Sequence, residues 1–487
     1  IGSNALGGQT ASVSACVAIG LNALADQNAN VKNTAIGAYA GADITTGAAN
    51  TLIGYFAGKS GTVTGGNAGW NNNTMVGHQA GMSATEGGQN TFIGAFSGDS
   101  AVTGDYNTCV GYDTGTNLTD GPGNVLIGSS AGVNMTTGDY NIAIGFQAAD
   151  AMDGTASHSS AGWSSEPSNH NIAVGWNALG LESSGANACI AIGKAALSTQ
   201  NSTLTSGARY SGDSVNLAIG FAAGEAVSTG TKNVLIGHEA GSTISDHDEN
   251  TAVGYNALKV CEGQNNTCLG RETLMTLNDG DYNTVLGSGA MKLADASSIN
   301  RNVAVGGAAL SQITNTSSSD NVALGYNAGS FFETTPAGAP TPDGNLIQAT
   351  SSIYVGAGAA SGLDPASTVP NNEIVIGYNA VGNGLNSFTL GNASTAALHC
   401  ADTSIAALSD RRVKHDINDN AVGLDFINKL ATVNYKKLNP ADWPAEIGLG
   451  AYREQTYKDQ LVTPAVEAAE AVYETVVVQE ARAAVEE

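Results

Sequence analysis

The chain has 487 residues, of which only 13% are charged and 63 are glycine, and its formal net charge is -25. That excess of negative charge repels nucleic acid and anionic membranes at long range, so neither is an expected partner. No run of eighteen apolar residues occurs, so no membrane insertion is expected, and the six cysteines form no CxxC pairs, which points to buried reduced thiols rather than a disulfide scaffold or a zinc site.

The opening residues, IGSNALGG, read as the back half of a unit that returns as IGLNALAD at Ile19. A pentapeptide then recurs as NTAIG at Asn33, NTLIG at Asn50, NTFIG at Asn90, NVLIG at Asn124 and NVALG at Asn321. Its twenty glycines run from Gly20 to Gly391, and nine of the nineteen intervals equal 17. Ile, Val or Leu precedes all twenty, and Asn stands four residues before fifteen of them. A fixed period of this length marks a solenoid.

The middle positions of the pentapeptide are mostly Thr or aliphatic, so a short strand apolar on both faces is predicted. One face fills the coil's interior. The other is left for the same surface on neighbouring chains, because a 17-residue coil is too thin to bury much alone. Glycine allows a sharp corner after the strand, and a second, small-residue strand is expected to follow, as in Tyr55-Phe56-Ala57-Gly58. Turns such as TGDYN at Thr103 and Thr137 close the coil. Asn side chains stacked at the strand spacing of ~4.8 Å are expected to form a hydrogen-bonded ladder, and twenty coils give a rod of roughly 95 Å. Cys16 and Cys189 occupy the Asn slot, in CVAIG and CIAIG, which favours buried thiols over a redox role.

Four coils carry insertions, at Lys59 to Asn72, Ala148 to His170, Leu197 to Ser214 and Ser330 to Ser352. They bring Trp70, Trp163, Arg209 with Tyr210, and Phe331 with Phe332, side chains suited either to stacking on a surface glycan or to packing over coil edges. His158 and His170 share one insertion without an acidic ligand set, and Asp105, Asp139 and Asp281 recur in turns as either cation ligands or solvated carboxylates. No metal site is expected from these patterns. No cofactor is expected either, since the GxGxxG-like strings lack a strand-loop-helix setting.

The pentapeptide with its IGxxAG or IGxNAL continuation resembles the parallel β-roll heads of trimeric autotransporter adhesins and the similar rolls of bacteriophage tail fibres. The resemblance covers about residues 1–395, with a longer period than the adhesin heads usually have. It implies a mainly β, trimeric solenoid of about 17-residue coils, serving as a fibre shaft. An attachment region is then expected before Ile1, joining other virion tail proteins.

After a linker at 396–408 the composition changes. Residues up to Leu408 hold 9 Lys and Arg, whereas SDRRVKHDI, Ser409 to Ile417, alone holds Arg411, Arg412 and Lys414. Ser409 suits a helix N-cap and Asp410 a first turn, so solvated charges at a helix start would explain the stretch. A desolvated Lys serving as base to a Ser nucleophile is the chemical alternative. SDRRVKHDI, followed by GLDFINKL, VNYKK and IGLGAYREQ, resembles the C-terminal intramolecular chaperone of phage tailspikes and fibres, a self-cleaving endopeptidase family. The resemblance spans 409–461. It implies a small α+β module with Ser409 at the cleavage site, Lys414 as its dyad partner, and Asp410 and Arg412 at signature positions. Gly448-Leu449-Gly450-Ala451-Tyr452 departs from the family's usual segment there. Any enzyme activity is then single-turnover self-cleavage beside Ser409, without an external substrate.

The last segment, 462–487, has Thr463 as N-cap and Pro464 at the first helical position, and Val462, Ala465, Ala469, Val472 and Val476 follow a 3–4 spacing that fits a lone amphipathic helix or a short three-stranded coiled coil. Near-identical coils can pair one repeat out of step, so a C-terminal module that trimerises first would set the register. The functional expectation is a homotrimeric phage tail fibre or tailspike in the virion, extracellular, recognising a bacterial surface glycan or protein receptor. The alternatives are a bacterial extracellular filament or cell-surface trimeric adhesin, and an ice- or mineral-binding solenoid, which the lack of a uniform outer Thr array disfavours.

Overall fold

The computed structural model describes residues 1–8, 15–28, 32–61, 70–100, 103–152, 170–181, 188–200, 215–277, 279–294, 299–313, 318–331, 333–334, 340–341, 349–362 and 371–397. Contacts divide the chain into two units, Ile1–Leu398 and His399–Glu487, and every described residue belongs to the first.

No helix occurs among the described residues. Twenty three-residue strands, from Val17–Ile19 to Phe388–Leu390, form one parallel sheet. Each pairs in register with the next along the chain, as Val17 with Thr34, Ala18 with Ala35 and Ile19 with Ile36. The rungs run both ways from each strand: the Thr51 N–H donates to the Asn73 carbonyl of the following coil, and the Gly54 N–H to the Ile36 carbonyl of the preceding one, both at 2.8 Å.

Each strand ends where its backbone does something only glycine tolerates. From Gly20 to Gly377 the corner glycines hold φ between +125° and +149°, and a Cβ on Gly54 would run into the Gly77 carbonyl above it. The solenoid thus stacks glycine on glycine along one corner.

Past that corner the structure corrects the expected second strand. In Tyr55-Phe56-Ala57-Gly58 the alternate residues Phe56 and Gly58 are left-handed, with φ of 58° and 54°, so the chain is a run of tight turns instead of an extended segment. Left-handed backbone is costly for a bulky residue. Here it alternates the direction of the peptides: the Phe56 N–H donates back to the Ala38 carbonyl at 3.1 Å, and the Gly58 N–H donates forward to the Ala80 carbonyl at 2.9 Å. Extended structure after the turns appears later in the coil and farther along the chain, where Val260–Cys261, Thr276–Leu277, Leu293–Ala294 and Gln312–Ile313 make a four-stranded parallel sheet, Ser330–Phe331 pairs with Ala360–Ser361, and Glu333–Thr334 pairs antiparallel with Pro340–Thr341.

The core lies between the strand and the turns, and its volume is shared between two positions. Where the middle strand residue is large, as at Leu52, Met75, Phe92 and Leu235, the fourth residue after the corner is glycine, namely Gly58, Gly81, Gly98 and Gly241. Where the strand supplies Ala18, Ala173, Ala191, Ala252 or Ala304, that position is Leu24, Leu179, Leu197, Leu258 or Leu310, all fully buried. A Cβ on Gly98 would lie 2.7 Å from the Phe92 ring. Cys109 and Cys268 fill the middle strand position, and burial pushes the Cys109 thiol up to about 12.

The asparagine ladder is present, and its main links run from side chain to backbone. Asn33 Oδ1 accepts the Asn50 N–H at 2.8 Å, and the relay continues coil by coil until Asn171 Oδ1 accepts the Cys189 N–H at 2.9 Å. It resumes from Asn216 to Ser352, whose Oγ accepts the Glu373 N–H at 3.2 Å. The amide nitrogens clamp the neighbouring loop, as Asn33 Nδ2 does to the Gly47 carbonyl at 2.7 Å. Every Asn of this column is buried, so both halves of each carboxamide need partners, and the stack supplies them in most coils, with Asn107 Nδ2 left unpaired.

Candidate functional site

Because strand residues alternate in direction, the first and third residues of each strand face away from the core. The third is always Ile, Val or Leu, and Ile36, Ile53, Ile127 and Ile192 are each 37% exposed. The first is half-buried along most of the sheet. It is Thr from Thr34 to Thr108, aliphatic from Val125 to Val234, Thr again from Thr251 to Thr284, and aliphatic from Val303 to Ile374. At ~4.8 Å between strands and ~7 Å between the two rows, this apolar stripe runs roughly 90 Å. A typical monomer's largest patch is only a few hundred Å². All 20 coils contribute, so the stripe follows from the repeat itself.

Beside the stripe, the residue after each corner glycine builds a second row. Phe146, Trp176, Lys194, Phe221, His238, Tyr255 and Arg271 occupy it in consecutive coils. Lys194 Nζ sits 4.3 Å from the Trp176 ring centre and 5.5 Å from that of Phe221, and His238 is stacked between Phe221 at 4.9 Å and Tyr255 at 5.2 Å. These rings cover one another's faces, so the row joins coil to coil. Sequence reasoning missed it; its signal was the aromatic or basic residue directly after IG, VG or LG.

The opposite corner, before the Asn slot, is the loop edge. Insertions enter there without disturbing the stack. On either side of residues 62–69, the Ser60 N–H still donates to Met82 at 2.9 Å and the Asn72 N–H to Ala48 at 2.9 Å. Around 153–169, Ala151 still bonds to Gly180 and His170 to Asp139, both at 3.1 Å.

The aromatic candidates separate on this edge. Of the two readings of Trp70 the packing one fits: it is fully buried, its ring fills space left by Gly47, Gly58 and Gly61, and it is a core residue, not a glycan contact. Trp163, Tyr210 and Phe332 lie outside the described residues, as do Arg209 and His158, and Phe331 is described only as strand backbone. His170 stacks on Tyr140 at 5.5 Å. The turn carboxylates bond to backbone: Asp105 Oδ1 accepts the Gly88 N–H at 2.6 Å and Asp281 Oδ1 the Gln264 N–H at 2.8 Å. No group of three or more potential metal ligands occurs among the described residues.

Four cysteines, Cys109, Cys189, Cys261 and Cys268, are buried and Cys16 is half-buried, while Cys400 lies outside the described residues. Burial also pushes the Cys261 thiol up to about 12. Ser409, Asp410, Arg412 and Lys414 fall outside the described residues, as does all of 409–487. Comparison with protein-family models and with curated proteins gave no match.

Proposed function

We propose that the chain is the shaft of an extracellular fibre, assembled as a homotrimer through the outward face of its long sheet, in a phage tail fibre or tailspike. The observation that carries this reading is the unbroken apolar stripe. A stable interface needs about 800 Å² per partner, and a stripe roughly 90 Å long supplies that order of area. The occupant is a second and a third copy, because a surface repeated every coil is best matched by another with the same repeat. The loop edge is left free on this arrangement, and we assign recognition of a bacterial surface glycan or protein to it.

Sedimentation equilibrium of the 487-residue chain tests the assembly: the expected mass is three times 48.8 kDa. The double variant Ile127→Asp with Ile144→Asp places charge in the stripe and should shift the species to monomer. A parent that sediments as a monomer at all concentrations would refute the shaft reading.

The C-terminal segment completes the proposal as a folding module that sets register, with Ser409 as nucleophile and Lys414 as its base. Expression should then yield a fragment ending near Leu408, and Ser409→Ala or Lys414→Ala should each leave one full-length band. An unprocessed parent would remove the protease chemistry and leave the templating role.

A further inference from the structure

The last coil of the solenoid closes over a carboxyl group. Glu373 stands in the slot that Asn occupies in most coils, and it is fully buried. Its Oε2 accepts the Tyr354 hydroxyl at 3.1 Å, and its Oε1 accepts the Gly384 N–H at 2.7 Å. The chain passes so close that a Cβ on Gly382 would collide with Oε1. Between Gly382 and Gly384 lies Asn383, exposed, with its Nδ2 donating to Thr389 Oγ1 at 3.2 Å.

Asn383–Gly384 is chemically distinct in this chain. Among 46 asparagines and 63 glycines, it is the one Asn-Gly pair. Where glycine follows asparagine, no side chain hinders the backbone nitrogen from reaching the carboxamide carbon. For reaction, the Gly384 nitrogen gives up its proton to solvent base and bonds to Asn383 Cγ. The Cγ–Nδ2 bond then breaks and ammonia leaves, closing a five-membered succinimide. Water opens either carbonyl of the ring, giving aspartate or isoaspartate at 383.

We propose that Asn383–Gly384 is a self-modification site, and that Glu373 restrains it for as long as the terminal coil stays closed. The hydrogen bond to Oε1 directs the Gly384 N–H into the buried carboxyl, away from solvent base and from the neighbouring carboxamide. Modification has local consequences that follow from the same packing. Aspartate adds a charge beside Glu373, and isoaspartate adds a backbone carbon to a turn in which Gly382 already leaves no spare room.

The full chain is incubated in neutral buffer, native and in urea, and peptide mapping by mass spectrometry follows amide-to-acid conversion and isoaspartate at residue 383. The native chain should convert about tenfold more slowly than the unfolded one, the factor that one net hydrogen bond provides. Glu373→Ala should recover most of that factor, whereas Tyr354→Phe, which keeps the Gly384 bond, should convert at the parent rate. If Glu373→Ala fails to fold, the native-to-urea ratio of the parent decides alone. Equal rates in native and urea-unfolded parent would overturn the proposal, as would acceleration by Tyr354→Phe equal to that by Glu373→Ala, since loosening of the coil would then explain the effect.

Discussion

The two corners of each coil obey opposite rules. At the glycine corner the sequence from the Asn slot to the turns keeps one length from coil to coil, because from Gly20 to Gly356 each glycine fits under the carbonyl of the next. At the loop edge, intervals of 14 to 31 residues between successive glycines are all accommodated. The difference teaches where a solenoid stores information. A corner made by stacked backbone has no freedom to vary, while a corner whose flanks are already pinned by the Asn amides and by backbone bonds can carry added chain at little entropic cost.

The largest effect expected from this contrast comes from moving an insertion between corners. One alanine added after Gly111 should clearly lower the midpoint of the melt seen by circular dichroism, since it moves Asp113, Gly115 and Asn117 out of register with the carbonyls of Ala95, Ala131 and Val133 in the adjacent coils. The same alanine between Val102 and Thr103 should leave the melt nearly unchanged, and comparable losses from both insertions would dissolve the distinction between the corners.

Next in size is the shared core volume. Phe92→Ala should cost about 3–5 kcal/mol in urea denaturation. Gly98→Leu alone should also destabilise, by crowding and by strain at φ +57°. Combined, the two should recover part of the loss, because Ala173 with Leu179 shows that arrangement elsewhere in the stack. Strict additivity would mean that the two positions do not share one space.

A smaller loss is expected from the ladder. Asn124→Ala strands the buried Asn141 N–H, which Oδ1 of Asn124 accepts at 2.9 Å, and frees the Gly138 carbonyl, to which its Nδ2 donates at 2.7 Å. The expected cost is about 1–3 kcal/mol per orphaned group. A stability equal to the parent's would show the relay to be incidental.

The smallest effect belongs to the exposed loop-edge pairs. The Arg301 guanidinium, hydrogen-bonded to Asp320, holds that carboxyl below its ordinary value. The pair's stabilisation is therefore present above the unfolded Asp value, about 3.9, and is lost as pH falls through the lower folded value. Because both side chains are solvated, Asp320→Asn should leave the denaturation midpoint unchanged at neutral pH. A clear shift would give this edge a stabilising role that the contrast denies it.

Much of this was legible because one constraint recurs twenty times. The Ile, Val or Leu before each glycine announced the outward stripe, and the Asn column announced the ladder. The turns were not legible, since nothing in Tyr55-Phe56-Ala57-Gly58 signals that Phe56 takes a left-handed conformation; stacking against adjacent coils imposes it. The sequence left Trp70 open between packing and glycan contact because an aromatic in an insertion suits either, and the glycines at 47, 58 and 61 that make its place inside are not periodic signals. Glu373 was visible as an exception in the Asn column, but its partner Gly384 arrives from the shortened final coil, at a distance that no periodic reading supplies.

The rungs of the long sheet also have a mechanical meaning. Each coil is bonded to the one before it and the one after it, with strands lying across the direction of stacking. Tension applied through the chain at one end of the stack therefore acts on the rungs of one coil at a time, and the outermost coil peels before its neighbour is loaded. Single-molecule pulling should show a sawtooth of small, nearly equal releases. The longer steps should coincide with the coils that carry added chain at the loop edge, where 30 residues separate Gly145 from Gly175 and 31 separate Gly325 from Gly356.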